Sequence, residues 1–157
     1  MQGNPDLLAN TEQGLSVAPQ QLSAAQLVHG TGIDLKDREH AVAELYLGTL
    51  AGGPTGGTVT LIPEESNDNA TWNQVNGSDS VVMNYNDTLP EVLRYRYIGG
   101  AAGKKRYLRI SVQAALTGGA SPTIIVEGNV LKGGLRYAQQ QPTVGAYPQT
   151  PGSTITN

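Results

Sequence analysis

The chain of 157 residues contains no cysteine, no phenylalanine, one tryptophan and two histidines. Without cysteine, neither a disulfide framework nor a thiolate metal site can form. With only His29 and His40, and no Gly-x-Ser-x-Gly elbow, the sequence lacks the signature of a hydrolytic triad. No apolar run approaches the ~20 residues of a membrane helix, and the N-terminus lacks the basic and apolar regions of a signal peptide. We therefore expect a soluble, non-enzymatic protein with no cofactor and no metal.

Charge is scarce as well. Asp, Glu, Lys and Arg together make up 15% of the residues, and the formal net charge is −3. This balance gives no general attraction to nucleic acid or to a membrane, so neither is expected as a partner. Twenty glycines and nine prolines indicate a β-rich chain with many turns, and the length fits one domain.

Apolar residues follow a period of two through most of the chain, which is typical of half-buried strands. In one example the inward positions are Ala41, Ala43, Leu45 and Leu47. Ten strands are predicted, and Pro63 is expected to end the fourth of them. They span residues 24–28, 32–35, 40–47, 58–62, 71–75, 79–84, 92–98, 105–113, 123–131 and 134–138. Because no helical segment separates them, the sequence predicts an all-β, antiparallel, jelly-roll-like sandwich.

The two ends of the chain have no sustained period. We therefore predict an N-terminal arm over residues 1–22, the sandwich over residues 23–138 and an extended C-terminal arm over residues 139–157. The last segment has no charged residue and contains three prolines, which argue against a helix or a central strand. It is either a disordered tail or an arm that becomes ordered on a partner.

Six of the ten Lys and Arg residues lie between Arg94 and Arg109, in two alternating patterns around a glycine-rich turn. These patterns predict a β-hairpin whose outward face is a ladder of Arg and Tyr side chains. Arg and Tyr are enriched at protein interfaces, and like charges side by side on a sheet need a partner. The predicted interface residues are Arg94, Arg96, Lys104, Lys105, Tyr107, Arg109 and Tyr147. The alternatives are a solvated face balanced by carboxylates and a weak phosphate-binding patch.

Three further motifs give weaker indications. The segment from Gly99 to Lys105 invites comparison with a phosphate-binding P-loop, but its two outer glycines enclose three residues rather than four, Lys105 stands where Ser or Thr is needed, and a strand follows. The oxygen-rich stretch 64–69 lacks the ligand spacing of an EF-hand, so it is interpreted as an acidic turn. Trp72 is predicted to lie in the core, with a sugar-stacking platform as the alternative.

Four segments, taken together and in order, resemble the small head proteins of tailed bacteriophages of the cement or decoration type. They are Ala41–Leu47 with its following glycine-rich turn, Leu61–Trp72, Tyr97–Arg109 and Gly133–Tyr137. This resemblance covers roughly residues 24–138.

Membership of that family implies a β-sandwich that self-associates as a dimer or trimer. It also implies docking on the major capsid protein at the outside of the virion, after assembly in the host cytoplasm. Related small β-proteins also occur at phage necks and tails, which leaves that location open. A receptor-binding or glycan-binding module on the virion is the alternative from another functional class.

Overall fold

The computed structural model describes residues 11–135, which form ten β-strands and one short 3-10 helix. The Tyr147 position and the predicted C-terminal arm lie outside these residues. The strands are β1 Glu12–Ser23, β2 Ala25–His29, β3 Ile33–Asp34, β4 Arg38–Ala51, β5 Gly56–Ser66, β6 Asn73–Gln74, β7 Val81–Asn84, β8 Glu91–Tyr97, β9 Tyr107–Thr117 and β10 Thr123–Leu135. The 3-10 helix spans Val75–Gly77.

The strands form two antiparallel sheets. Sheet A has the order β1-β10-β4-β8. Sheet B has the order β2-β9-β5-β6, with β3 beside β9 and β7 beside β5. Successive long strands alternate between the sheets, which gives the two-sheet jelly-roll arrangement. The predicted all-β antiparallel sandwich is confirmed.

The core lies between the inward faces of the two sheets. The predicted inward face of β4 is confirmed, because its alternate residues from Ala41 to Leu47 are at most 1% exposed. They pack with Leu61 from β5 and Ile110 from β9 in one apolar cluster. The largest fully buried side chain is Tyr97. Within residues 11–135, no helix has the length and apolar character needed to cross a membrane.

The predicted N-terminal arm is wrong for residues 12–22, because β1 is an integral strand of sheet A. It pairs with β10 from Glu12, opposite Lys132, to Ser23, opposite Thr123. The register shifts twice along β1, between Leu15 and Val17 and again between Val17 and Gln20. Each shift interrupts the alternation of inward and outward side chains, so the strand has no period-two pattern in the sequence.

The predicted hairpin between β8 and β9 is also wrong. β8 pairs with β4 in sheet A, whereas β9 pairs with β2, β3 and β5 in sheet B. The nine residues 98–106 therefore cross from one sheet to the other. The predicted faces are nevertheless right, because Leu93, Tyr97 and Leu108 all point into the core.

Pro63 does not end β5, contrary to the sequence prediction. It is buried and lies opposite Ile110 of β9. On the edge of β5 that faces away from β9, β7 pairs with residues 58–61 and β6 pairs with residues 64–65. Pro63 therefore lies in the gap between these two ladders of hydrogen bonds. A residue without an N–H is tolerated at such a break.

Candidate protein interaction surfaces

The predicted interface residues do not form one surface. Arg94 and Arg96 are exposed on the outer face of sheet A. Tyr107 and Arg109, half-buried, lie on the outer face of sheet B, and the two lysines at 104 and 105 lie in the connection between the sheets. The Arg and Tyr ladder is therefore wrong, because its two halves face in opposite directions.

On sheet A, Arg94 has a carboxylate partner. Its Nε donates to Oε1 of Glu44 at 2.7 Å, and the Tyr46 hydroxyl donates to Oε2 of Glu44 at 2.8 Å. Glu44 is only 7% exposed. Burial opposes its ionisation, but the hydrogen bonds from Arg94 and Tyr46 outweigh that effect and lower the pKa of Glu44. Here the structure matches the balanced polar face that the sequence left as an alternative.

On sheet B, Glu64 is the centre of a polar cluster drawn from three neighbouring strands. Arg109 Nε donates to Oε2 of Glu64 at 2.7 Å, and the Ser111 hydroxyl donates to the same oxygen. His29 Nδ1 lies 3.2 Å from this oxygen and 2.7 Å from Ser111 Oγ. Burial raises the pKa of Glu64, but the hydrogen bonds from Ser111 and Arg109 outweigh it, so the net pKa is lowered.

A serine, a histidine and a carboxylate together invite comparison with a hydrolytic triad, but the geometry differs. A triad uses both ring nitrogens of histidine, one toward the serine and one toward the acid. Here Ser111 and Glu64 both approach Nδ1 of His29, and Ser111 gives its proton directly to Glu64. Ser111 is also only 1% exposed. This arrangement ties three strands together and cannot relay a proton from serine through histidine.

Trp72 lies on the outside of sheet B, so its predicted place in the core is wrong. It is half-buried and does not belong to the core cluster. The Arg109 guanidinium lies 4.4 Å from the centroid of its ring, a cation–π contact. A Cβ added to Gly32 would lie 2.7 Å from the ring, so the chain packs closely there as well. Since Arg109 covers the ring, the geometry does not favour a sugar-stacking platform.

The connection between the sheets forms a basic tip at one end of the sandwich. A cleft of about 300 Å³ at this tip is lined by Leu35, Lys36, Asp37, Asn67, Lys104, Lys105 and Arg106. Arg106 pairs with Asp34 at 2.8 Å, and its hydrogen bond lowers the pKa of that carboxyl. Lys104 Nζ donates to the backbone carbonyl of Arg38. The tip brings the predicted residues Lys104 and Lys105 together, with carboxylates close by.

The predicted acidic turn over residues 64–69 is right only for its second half, because Glu64, Glu65 and Ser66 belong to β5 and the bend begins at Asn67. The Asp68 carboxylate accepts hydrogen bonds from the backbone N–H groups of Ala70 at 2.9 Å and Thr71 at 2.8 Å. These bonds, with a further one from the Ser66 hydroxyl, hold the pKa of Asp68 well below its usual range. Among residues 11–135, no group of three or more His, Asp or Glu side chains is placed to hold a metal ion.

The start of β1 and the end of β10 meet at one corner of sheet A. Glu12 lies opposite Lys132 in the register, and Leu135 lies opposite Arg38 at the start of β4. Glu12 accepts from Lys132 at 2.8 Å and from Arg38 at 2.9 Å, so three strands are clamped there. The hydrogen bond from Lys132 is the main reason that the pKa of Glu12 is lowered. The described residues therefore begin and end at the same corner of the sandwich.

An apolar groove lies near the opposite end of sheet A and crosses all four of its strands. Its volume is about 400 Å³. The groove is lined by Pro19, Tyr46, Leu47, Gly48, Pro90, Glu91, Val92, Ile125, Val126 and Glu127. Ile125 is 49% exposed and Tyr46 is 39% exposed. No sequence pattern indicated this groove, because it arises where β10 shifts register against β4 between Ile124 and Val126.

Acid should weaken the fold through Glu44 and Glu64. A carboxyl whose pKa is lower in the folded chain stabilises the fold above its unfolded pKa, about 4.3 for Glu. That contribution is lost as the pH falls through the folded value. We expect the melting temperature to drop as the pH is lowered below about 4.3. The drop should be smaller in Glu64→Gln than in the original chain.

The measurement is thermal unfolding followed by circular dichroism over a pH series. Glu39→Gln is the control, because Glu39 is exposed. An acid transition that is unchanged by Glu64→Gln would show that the cluster on sheet B does not contribute to it.

No protein-family model matches the sequence, and no curated protein matches it. Among solved structures, one similar chain comes from work described in the words "Bacillus endospore appendages form a novel family of disulfide-linked pili". This match has a TM-score of 0.34 and 13% identity, and it covers 79% of this chain and 88% of that chain. The present chain has no cysteine and so cannot form such disulfides. A likeness at this level carries no argument about function.

Proposed function

We propose that the chain is a structural virion protein of the cement type. It binds the outside of a phage head and stabilises contacts between subunits of the major capsid protein, and it associates with further copies of itself. The observation that supports this proposal most is the shared corner of sheet A, where β1 begins opposite the end of β10. The two terminal segments are thus attached at one corner, from which both can reach the same neighbouring subunits.

The described polar clusters also suit a binding role better than a catalytic one. Glu44 and Glu64 are each held by an arginine and by a hydroxyl group. Carboxylates held in this way connect neighbouring strands, β4 with β8 and β5 with β9. A cement protein needs no reactive group, because many weak contacts between neighbouring copies add up to strong attachment.

The proposed contact surface differs from the predicted hairpin face. Arg94 and Arg109 lie on opposite sheets, so a single partner surface cannot cover both in one flat contact. Lys104 and Lys105 lie at the basic tip, and Lys104 contacts Arg38, which also belongs to the corner of the terminal segments. We place the capsid contact at this tip and corner.

The direct test is to mix the purified full-length protein with mature capsids that lack it, and to image the particles by electron cryomicroscopy. We expect added density at regular positions on the outer surface of the shell. Capsids that gain no density at saturating protein would contradict the proposal. Density at the neck or tail alone would mean that the protein binds there and not on the shell of the head.

The same assay tests the C-terminal segment. A chain ending at residue 138 should leave fewer sites occupied and a less stable shell, because one of the two segments that reach neighbours is removed. Lys105→Glu should also reduce occupancy, whereas Gln113→Glu, which adds a negative charge at an exposed position of sheet B away from the tip, is the control. Unchanged occupancy and particle stability after the truncation would reject a role for residues 139–157.

A further inference from the structure

The apolar groove of sheet A has the features of a binding site for an extended peptide. Its walls come from Tyr46 of β4 and Ile125 of β10. Its floor includes Gly48, which has no side chain to fill the groove; a Cβ at this position would lie only 3.3 Å from Ile125 Cβ. A second cavity of about 370 Å³ continues from it and shares Gly48 and Pro90. Together they form a long apolar channel, which fits a chain segment better than a compact ligand.

A buried polar group lies beside the groove. Glu91 lines it, and Oε2 of Glu91 is buried without a hydrogen-bond partner among residues 11–135. A buried, unpaired acceptor is unfavourable, so a ligand that turns the Glu91 side chain toward the groove and brings an N–H or O–H to it gains affinity. The occupant should therefore be mainly apolar and should also carry hydrogen-bond donors.

The C-terminal segment of this chain has that chemistry. Residues 139–157 carry no charge, and they include Tyr147 and three prolines among Gln and Thr residues. Proline-rich segments bind grooves lined by aromatic and apolar side chains because their extended conformation costs little entropy to fix. Their Gln, Thr and Tyr side chains supply the donors. An uncharged segment also avoids repulsion from the acidic groups at 91 and 127.

The direction of β10 favours the segment of a second copy. β10 passes the groove at Ile125 and continues to Leu135, roughly 33 Å further along the sheet. The chain therefore heads away from its own groove where the described residues end. The 22 residues that follow can extend over roughly 68 Å. A segment attached at one end of sheet A and a groove near the other end suit a head-to-tail contact between copies.

We propose that the groove formed by Tyr46, Ile125 and Pro90 binds the C-terminal segment, residues 139–157, of a neighbouring copy of this chain. This proposal rests on the self-association included in the proposed function, and it assigns that association to a particular site. It does not depend on where the protein sits on a virion. It can therefore be tested without capsids.

The test uses two forms of the full-length chain. One is labelled with ¹⁵N, and the other is unlabelled and carries a nitroxide on Ala51→Cys, an exposed position at the end of β4 near the groove. Because the chain has no cysteine of its own, the label attaches only there. In the mixture, we expect the NMR signals of residues 142–151 of the ¹⁵N chain to lose intensity. That loss should disappear when the nitroxide is reduced.

Ile125→Asp in the nitroxide chain should abolish the effect, whereas Leu27→Asp on sheet B should leave it intact. The two side chains are a matched pair, because they are 49% and 50% exposed. Near-ultraviolet circular dichroism confirms that each variant is folded. Equal loss of the effect in both variants would overturn the assignment to the groove.

The other occupants give different results. A further sample carries ¹⁵N and the nitroxide on the same chain. Signal loss in this sample alone means that the segment binds its own groove, which overturns the proposal. No signal loss in any sample, with capsid binding abolished by Ile125→Asp alone, means that capsid protein occupies the groove and also overturns it. Capsid binding that persists in Ile125→Asp, with the mixed-chain effect lost, supports the groove assignment and leaves the proposed function standing.

Discussion

Replacing Tyr97 by alanine is expected to lower the free energy of unfolding by about 4 kcal/mol, because a large and fully buried aromatic side chain is removed. For a domain of this size the melting temperature should fall by roughly 10 °C. Tyr97 lies on β8 in sheet A, and its ring crosses the core toward sheet B. The void left behind would lie between the two sheets, where the surrounding strands have little freedom to collapse.

The hydroxyl of Tyr97 adds a second, separable contribution. It donates to Oε2 of Glu65 on β5 at 2.7 Å and accepts from the backbone N–H of Lys105 at 2.9 Å. It thus joins sheet A, sheet B and the connection between them. Burial is the main reason that the pKa of this phenol is raised, so it remains a protonated donor. Tyr97→Phe, which keeps the ring, should cost about 2 kcal/mol by leaving Glu65 without this donor.

Chemical denaturation of the three proteins measures both contributions. Tyr85→Ala is the control, because Tyr85 is 37% exposed and its loss should change stability by no more than about 0.5 kcal/mol. If Tyr97→Phe is as stable as the original chain, the hydroxyl bridge between the sheets does not contribute. If Tyr97→Ala costs no more than Tyr85→Ala, the buried ring does not contribute either.

The sequence predicts which way a side chain faces much better than which strands are neighbours. Alternation placed Leu93 and Tyr97 correctly on the inward face of β8, and Leu108 on that of β9. The same alternation fits two strands side by side in one sheet or two strands facing each other across the core. The predicted strands 92–98 and 105–113 leave six residues between them and the structure leaves nine, whereas hairpin loops usually have two to five.

The polar cluster of sheet B and the groove of sheet A depend on the strand register, which is harder to predict from the sequence than the pairing of strands. His29 and Ser111 are directly paired between β2 and β9, and Glu64 lies on β5 opposite Arg109. Three separate strands must therefore align before this polar cluster exists. The groove of sheet A arises from a register shift, and β1 was missed because of two such shifts. Bulges of this kind have no reliable signature in a single sequence.

Gly57→Ala is expected to destabilise the fold by about 3 kcal/mol, although it adds only one methyl group. Gly57 has a φ of 111°, a conformation that residues with a side chain rarely adopt. A Cβ at this position would lie 2.1 Å from the carbonyl oxygen of Ala115 and 2.6 Å from Leu116 Cα. Both atoms belong to the backbone of β9, so relief would require β5 and β9 to move apart.

Gly53→Ala separates backbone strain from this close approach. Gly53 also has a positive φ, 59°, but a Cβ there would meet nothing within 4 Å. It should therefore cost only about 1–2 kcal/mol, the strain of the left-handed conformation. Chemical denaturation of the two variants gives the difference, which measures the contact between β5 and β9. An equal loss of stability in the two variants would mean that β9 moves away from the added methyl group at no energetic cost. The close pairing of β5 and β9 at Gly57 would then not stabilise this end of sheet B.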